Sequence, residues 1–532
     1  MQEGLHSFGV RHLRSFGASS PAIPIKPINI LVGRNSCGKS TFLRTFPLLR
    51  QSIQADTKSP ILWFGSLVDF GDFDTSLHDG GGKEISFDFN TTLEVIRDET
   101  WDFEFEVAED NEASSDKFFD VTICISISRL SDTQLRTKLL FKVGPSCIEI
   151  IYSGNDIERA VAYSSNRDVS YSFPLKVITD HGSLIPTSLR GLREIKRDGV
   201  SFSPKRFSLA NTLVQDSNRI LAEYLGGFHH ASKSKTKIRE SVVEIKLCSQ
   251  NNIPEEIRSA FAHDKYFLKS LATNKDEISD IVFTLLVARE FHSFLRAADN
   301  LFKSFFAGVR YQAPLRAAGE RFYRYQDLRV DEVDHTGSNL PMVINSLDTI
   351  RQKQLSNWIL EHFGFELLLS AAGLHYEIQV REEGDKNFHN ISDMGFGYSQ
   401  ILPVIVSIWL EFVANKRPFS ISRAKGPRII VLEQPELHLH PALQYKFGLA
   451  ISKVISQARR ANLYFVIETH SKHLIDAIGE SIRSGDIEES IVNIALFEKM
   501  DDGVTNTTIS GFDSEGYLTN WPVGFLSPDY DY

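Results

Sequence analysis

Cysteine is scarce: Cys37, Cys124, Cys147 and Cys248 are the only four in 532 residues, and no two form a C-x-x-C pair. Scattered single cysteines disfavour both a disulfide framework and a zinc knuckle and suit a reducing compartment. Long apolar runs are missing as well. The first fourteen residues hold none, so they form no secretory signal. The most apolar stretch, 401–414, is interrupted by Pro403, Ser407 and Glu411, short of the roughly 20 apolar residues that cross a bilayer. These absences point to a cytoplasmic protein with no membrane span. An excess of basic residues is lacking too: the net charge of −10 argues against a surface given over to nucleic acid, while leaving room for a local basic patch. There is no internal repeat and no low-complexity tract.

What remains is the composition of an ordinary globular protein, 42% hydrophobic and 24% charged. At this length one core stops growing, so two or three lobes are expected. Residues 28–32 form a short apolar run broken only by Asn29, as in a buried parallel strand. A glycine-rich turn and a helix over 40–51 follow. Strands are predicted over 61–70 and 84–90, then an antiparallel β lobe to about residue 175, with Phe103, Phe105, Val107 and the run 121–127 as its clearest pieces. Helical periodicity dominates 209–307, with 281–306 as one amphipathic helix. The last third alternates: strand 308–312, helix 340–363, a helix within 391–414, strand 429–432, helix 441–457, strand 463–467, helix 471–483 and strand 491–497. Such alternation means a mostly parallel sheet with helices on its faces, an α/β fold. The expected organisation is an α/β core split between 1–90 and 308–483, a β lobe at 91–208, a helical insertion at 209–307 and a small module at 484–532.

Four motifs carry chemistry. Gly33, Arg34, Asn35, Ser36, Cys37, Gly38, Lys39, Ser40 and Thr41 fit G-x-x-x-x-G-K-[ST] between a buried strand and a helix. Backbone N–H groups there would cradle phosphates, Lys39 would reach the β- and γ-phosphates of ATP, and Ser40 would ligate Mg2+. The second motif, 428–441, ends an apolar strand in Glu433, Gln434, Pro435 and Glu436. Glu433 stands where a metal-orienting carboxylate belongs, although 400 residues separate it from Gly33. The third, 463–471, ends a strand in Glu468, Thr469 and His470, and His470 is placed to sense a γ-phosphate. The fourth, 392–404, opens a helix with Gly395, Gly397, Ser399 and Gln400, a candidate anion site at a helix N-terminus.

Together and in this order, these motifs resemble the ABC-type ATPase heads of SMC-like DNA-repair proteins. Closer still, LEQPELHLHP, ETHSKHL, DMGFGYSQILP, LVDFGDFDTSLHDG (67–80) and YQAPLRAAGERFY (311–323) look like the AAA-family ATPases of bacterial anti-phage systems, among them OLD-like and Septu (PtuA-like) proteins. The tail 512–526 resembles a small C-terminal module of that group. The resemblance covers 1–90 and 308–532. It implies an ABC-type head that binds ATP and Mg2+, with Walker A at 33–41, Glu433 as the Walker B carboxylate on Mg2+, His470 as the switch histidine, and 395–400 as a signature facing the γ-phosphate of the other protomer. The implied assembly is a head-to-tail homodimer around ATP, with higher assemblies open. Arg316 and Arg321 would either sense phosphate or sit in structural ion pairs.

One departure stands out: the glutamate that usually acts as general base is Gln434 here. An amide takes no proton, and losing a general base costs about 10²–10⁴ in rate, although a glutamine can still orient water. Slow turnover is expected, with Glu436 or Glu468 as substitutes. Only 61 residues follow Ser471, fewer than a nuclease domain of roughly 100 residues needs, so any effector is expected in trans. The resemblance names a small HNH nuclease (PtuB-like), in some systems beside a retron reverse transcriptase and its msDNA. Two basic segments are either solvated faces or nucleic-acid contacts: 190–206 (Arg190, Arg193, Lys196, Arg197, Lys205, Arg206) and 233–246 (Lys233, Lys235, Lys237, Arg239, Lys246). An SMC-like DNA-repair ATPase is the main alternative, without the heptad coiled coil such proteins carry. A transporter ATPase subunit would need a more orthodox signature.

Overall fold

A computed structural model describes residues 3–522 apart from 56, 58, 81, 97–116, 133, 174, 179–181, 192–195, 198–199, 202–208, 325–328, 373–374, 416–425 and 459–461. Phe103, Phe105 and Val107 therefore lie outside the described residues. The chain divides into two compact units. One comprises Met1–Leu13, Ser52–Leu62 and Leu77–Lys303; the other comprises Arg14–Gln51, Trp63–Ser76 and Ser304–Tyr532.

The first unit contains an antiparallel sheet in the order Gly4–Arg11, Glu84–Glu94, Phe118–Ser131, Gln134–Val143, Ser146–Ser153, Asp156–Ser164, Ser170–Ser172. Alternation of buried and more exposed side chains is clearest along Gln134–Val143 and Ser146–Ser153, whereas Glu84–Glu94 and Phe118–Ser131 carry runs of consecutive buried residues. Phe89, Phe119 and Phe141 meet Phe302, Phe294 and Phe291 with ring centroids 4.7, 5.5 and 5.2 Å apart. The expected single helix over 281–306 is two, Lys275–Arg289 and Phe291–Ala307. Glu290, at φ −90° and ψ 8°, closes the first. Arg289 is pulled inward there by Ile245 O and by Glu290. Every residue of the first helix from Ile278 to Arg289 is buried, so periodicity alone could not separate it from its amphipathic neighbour.

The second unit is α/β. Its seven-stranded sheet runs Val309–Gln312, Arg428–Glu433, Leu463–Glu468, Ile28–Gly33, Val492–Lys499, Thr505–Phe512, Leu518–Thr519. The first five strands are parallel and the last two antiparallel. The Ile28–Gly33, Arg428–Glu433 and Leu463–Glu468 strands are buried almost throughout, as parallel strands covered on both faces must be. Ile28, Ile30 and Val32 join Ile401, Ile405, Leu474 and Ile478 in one core, each burial stabilising by about 1.5–3 kcal/mol. A smaller antiparallel sheet pairs Phe365–Ala372 with His375–Glu382.

Two expectations fail in this unit. Residues 61–70 form no strand. Around Phe64 and Asp69, joined by one bridge, the Gln51 amide takes the place of a strand partner, accepting from Leu67 and Val68 N–H and donating to Val68 O. The helix over 340–363 is split into Leu340–Asn345 and Thr349–Phe363, because the Asp348 side chain caps the second by accepting from Arg351 N–H at 2.8 Å.

The Phe396–Asn415 helix includes an 18-residue window, Phe396–Val413, long and apolar enough to cross a membrane, but 72% of that window is buried inside the protein. Its one acid, Glu411, stands 2.9 Å from Arg310 and 3.4 Å from Arg428. Glu411→Leu removes the carboxylate that Arg310 and buried Arg428 share, leaving Arg310 only Glu332 at 3.5 Å, and breaking a buried pair costs up to about 3–5 kcal/mol. The thermal midpoint of this variant should fall by many degrees, whereas an unchanged midpoint would show that the charges are relieved by water.

Candidate functional site

At the end of the Ile28–Gly33 strand the chain turns sharply into the Lys39–Gln54 helix. Only glycine fits at two points. A Cβ on Gly33 would stand 2.4 Å from Phe497 O, and Gly38, at φ +98°, would put one 2.8 Å from Thr505 Oγ1. Ser36 takes positive φ as well. Arg34, Asn35 and Ser36 are exposed, Cys37 is buried, and Thr41 lies in the first helical turn. Lys39 is only 4% exposed. It folds back so that Nζ donates to Arg34 O at 2.7 Å and stands 3.9 Å from Glu468 Oε1.

Two carboxylates face this loop. Glu433 and Glu468 are register partners at the ends of adjacent parallel strands, and Glu468 is also paired with Leu31 of the loop's own strand. The Ser40 hydroxyl donates to Glu468 Oε1 at 2.8 Å, while Glu468 Oε2 is buried without a hydrogen-bond partner. Burial, then the Glu433 charge, push the Glu468 carboxyl up to about 7 against the bond from Ser40. Glu433 is differently placed. Arg44 grips it with Nε to Oε2 at 2.9 Å and Nη2 to Oε1 at 2.7 Å, and Tyr311 OH adds a 2.7 Å bond to Oε2. Burial opposes the charge on Arg44, but the bonds and charge of Glu433 outweigh it and hold the guanidinium protonated. Burial and the same carboxylate keep Tyr311 neutral.

Beyond the strand, Gln434 takes φ +45° and donates its N–H to Glu468 O at 2.9 Å. Glu436 accepts the His470 N–H at 2.6 Å, and burial raises its carboxyl. His470 is exposed, and partial desolvation with the Lys39 charge lowers its pKa, leaving the ring neutral at pH 7. Arg316 lies beneath these residues, with Nη2 on Glu433 O and Nη1 on Gln400 O. Gln400 exchanges two side-chain bonds with the Arg316 backbone. Ser399 turns its hydroxyl to Phe396 O at 2.8 Å. Gly395 and Phe396 are exposed at the helix start, while Ser399 and Gln400 are buried. Gly397 allows His438 O to approach to 2.8 Å of where a Cβ would stand. Arg321 is ion-paired with Asp393.

The fold thus brings 33–41, Glu433, Gln434, Glu436, Glu468 and His470 to one edge of one sheet. Sequence reasoning missed Arg44 and Tyr311. Arg44 lies one helical turn past Ser40, on the same face, and that spacing was the available signal. Of the basic segments, Arg193, Lys205 and Arg206 lie outside the described residues, as do the side chains of Arg190, Lys196 and Arg197. Lys233 is tied to Asp264 at 2.9 Å, and Lys235, Lys237, Arg239 and Lys246 are exposed with Glu240 and Glu244 among them.

The residues fit ATP and magnesium. The loop is a backbone cradle that a Cβ would fill, Lys39 supplies a cation beside it, and Ser40 with Glu468 offers hard oxygen donors, one unpartnered. Fold and site together define an α/β ATPase core with a glycine-rich loop at the end of a parallel strand. The chain belongs to the AAA ATPase domain family, whose model matches residues 7–475. No curated protein matches the chain. Similar solved structures include an SmcHead bound to the C-winged helix domain of ScpA (10% identical, covering 96% of this chain and 98% of that one, TM-score 0.33). Another is the Smc head domain with a coiled coil and joint from Pyrococcus yayanosii (11%, 97% and 98%, 0.33). A third is the recombination mediator protein RecF with ATP (9%, 95% and 98%, 0.30). At these identities and scores the likenesses carry no inference about function.

Because the Glu468 carboxyl titrates near 7 in the folded protein against an ordinary 4.5, the fold binds its proton more tightly than the unfolded chain does. The stability this contributes is complete below 4.5 and is lost as pH rises through about 7. The melting midpoint of the nucleotide-free protein should fall by a few degrees between about pH 6 and 8. Glu468→Gln, with no proton to lose, should flatten that fall; an unaltered slope would assign it to another group.

Proposed function

We propose that this ATPase binds ATP in the loop at 33–41, hydrolyses it slowly and closes around it as a head-to-tail homodimer. The observation that carries the reading is the cradle with Lys39, Ser40 and two strand-end carboxylates converging on one point. Lys39 is the residue for the terminal phosphates, and Ser40 the hydroxyl for Mg2+. Bound Mg2+ would supply charge neutralisation between phosphates. His470, neutral and exposed at the rim, is the γ-phosphate sensor. Gly395 and Gly397 open an exposed helix N-terminus suited to a phosphate on the partner protomer. Ser399 and Gln400 are engaged within their own chain, so they shape that turn and do not reach across. Arg316 holds Gln400 and the Glu433 carbonyl, which makes it a link between signature and Walker B.

Slow turnover follows from Gln434. Its backbone is held at positive φ beside Glu468, and its amide can orient water but cannot take a proton. At the finer level, the motif resemblance supports an ATPase subunit of an anti-phage complex that controls a nuclease effector in trans, an HNH nuclease with or without a retron reverse transcriptase and msDNA. Its long-lived ATP-bound state is the scaffold that restrains the effector.

Light scattering should give a monomer mass without nucleotide and a dimer or larger mass with ATP, and Lys39→Ala should abolish both nucleotide binding and the mass change. Gln434→Glu should raise steady-state turnover by about 10² or more, and Gln434→Ala should lower it further. Fast wild-type hydrolysis insensitive to Gln434→Ala would overturn the slow-turnover reading. Co-purification of a small nuclease whose activity rises when this chain is removed supports the scaffold role; nuclease activity that is unchanged without the chain removes it.

A further inference from the structure

Within the first unit, the stretches 228–239 and 261–269 are held together at one corner by a single carboxylate. Asp264 Oδ1 accepts the Phe267 N–H at 3.0 Å and so caps the Lys265–Thr273 helix. Its Oδ2 meets His229 Nδ1 and Lys233 Nζ, each at 2.9 Å. His229 is buried and stacks on Phe267, with ring centroids 4.2 Å apart and planes 9° from parallel. A stacked ring pair on the buried side and a carboxylate with three partners fix the two stretches relative to one another.

The outward side of this corner carries cations and rings. Lys235, Lys265 and Lys269 are exposed, and Lys233 is half-buried in its pair with Asp264. On the Lys265–Thr273 helix, Lys265, Tyr266 and Lys269 fall within about 100° of arc, opposite buried Phe267 and Leu271. Tyr266 is 56% exposed, and the exposed His230 ring meets it edge to face with centroids 5.6 Å apart. That contact leaves the tyrosine at least one open face. Between residues 228 and 239 there is no acid, and Asp264 is the one acid between 261 and 269; its charge is already shared by His229 and Lys233. Glu240 and Glu244 lie further along the Lys235–Glu244 helix, about 140–180° round from Lys235. Helix stability does not account for these lysines, since Lys235 and Lys265 each open a helix, where the macrodipole disfavours a cation. A corner of this sign in a chain of net charge −10 is complementary to a polyanion.

We propose that this corner binds single-stranded nucleic acid, with backbone phosphates on Lys235, Lys265 and Lys269 and a base stacked on Tyr266 beside His230. Lysine ammonium groups take phosphates as point charges, and an aromatic face accepts any base because every base has a π-face. A duplex keeps its base faces inside its own stack, and an acidic peptide makes no use of an open ring. Lysines and ring on one arc therefore favour the single strand. The inference stands on this corner alone and is independent of the ATP-binding reading.

The test is fluorescence anisotropy of the purified full-length chain with a labelled oligo(dT) of about 20 nucleotides, a site length within reach of a small binding surface. A duplex of the same length and polyglutamate as competitor complete the set, and melting curves check that each variant is folded. The wild type should bind oligo(dT) more tightly than duplex, with an affinity that falls as salt rises. Tyr266→Ala should weaken oligo(dT) binding about 5–100-fold and leave duplex binding unchanged, while Tyr266→Phe, which keeps the ring, should stay within about twofold of wild type. Lys265→Gln with Lys269→Gln should reduce the salt slope by about 0.7 for each lysine removed. A wild-type chain that binds no oligo(dT), or variants that bind it as wild type does, would overturn the proposal. A loss seen only in the lysine variant and equal for duplex, or displacement of oligo(dT) by polyglutamate at matched charge, would overturn it in favour of a general polyanion surface.

Discussion

Two carboxylates side by side at the end of a buried parallel sheet repel one another in a medium that screens poorly, and much of the site is the answer to that constraint. Glu433 and Glu468 are register partners on adjacent strands. The structure closes Arg44 and Tyr311 around the first. It tolerates the second by letting burial shift its carboxyl to about 7, with Ser40 and Lys39 beside it. Like-charge pairs resolved by pushing two environments apart are a common way to give neighbouring carboxylates different tasks.

The supporting structure follows from where those residues must be. The core strands are apolar and buried on both faces, so only their ends can carry ionisable groups. The loop at 33–41, the Glu433 turn and the Glu468 turn all leave the same edge of the sheet. Tight backbone at that edge makes the geometry narrow: Gly33 and Gly38 admit no side chain, and Gln434 and His438 hold positive φ. Arg316 then ties the Glu433 turn to the start of the Phe396–Asn415 helix through Gln400. The Glu433 turn and the start of that helix are thus joined by a short chain of buried polar contacts.

Much of this was legible in advance. Strands 28–32, 429–432 and 463–467 and the helices after them announced themselves because apolar runs bounded by turn residues have few other solutions. The tight turn at 33–41 between a buried strand and a helix was legible because its glycines and lysine stand at a fixed spacing. Failures had physical causes. The segment 61–70 has the composition of a strand, but the Gln51 amide, 16 and 17 residues before the Leu67 and Val68 N–H groups it bonds, supplies the bonds a neighbouring strand would have supplied. The break at Glu290 was hidden because the helix before it is buried on every side. The break at Asp348 depended on a side-chain cap that competes with a continuing helix only when the packing beyond it demands a turn.

The sequence by itself determined the class of chemistry: a glycine-lysine-serine loop after a buried strand, acids at the ends of two later strands, and an amide where a base is usual. Those are local facts, written in residue types and spacing. Which acid is free and which is clamped was decided only by tertiary structure. Arg44, Tyr311 and Glu433 come from three distant stretches of chain, and their bonds exist only once the parallel sheet has set the strand order. The same holds for Glu468, whose unpartnered oxygen is a property of its burial beside Ser40 and cannot be read from the letters around it.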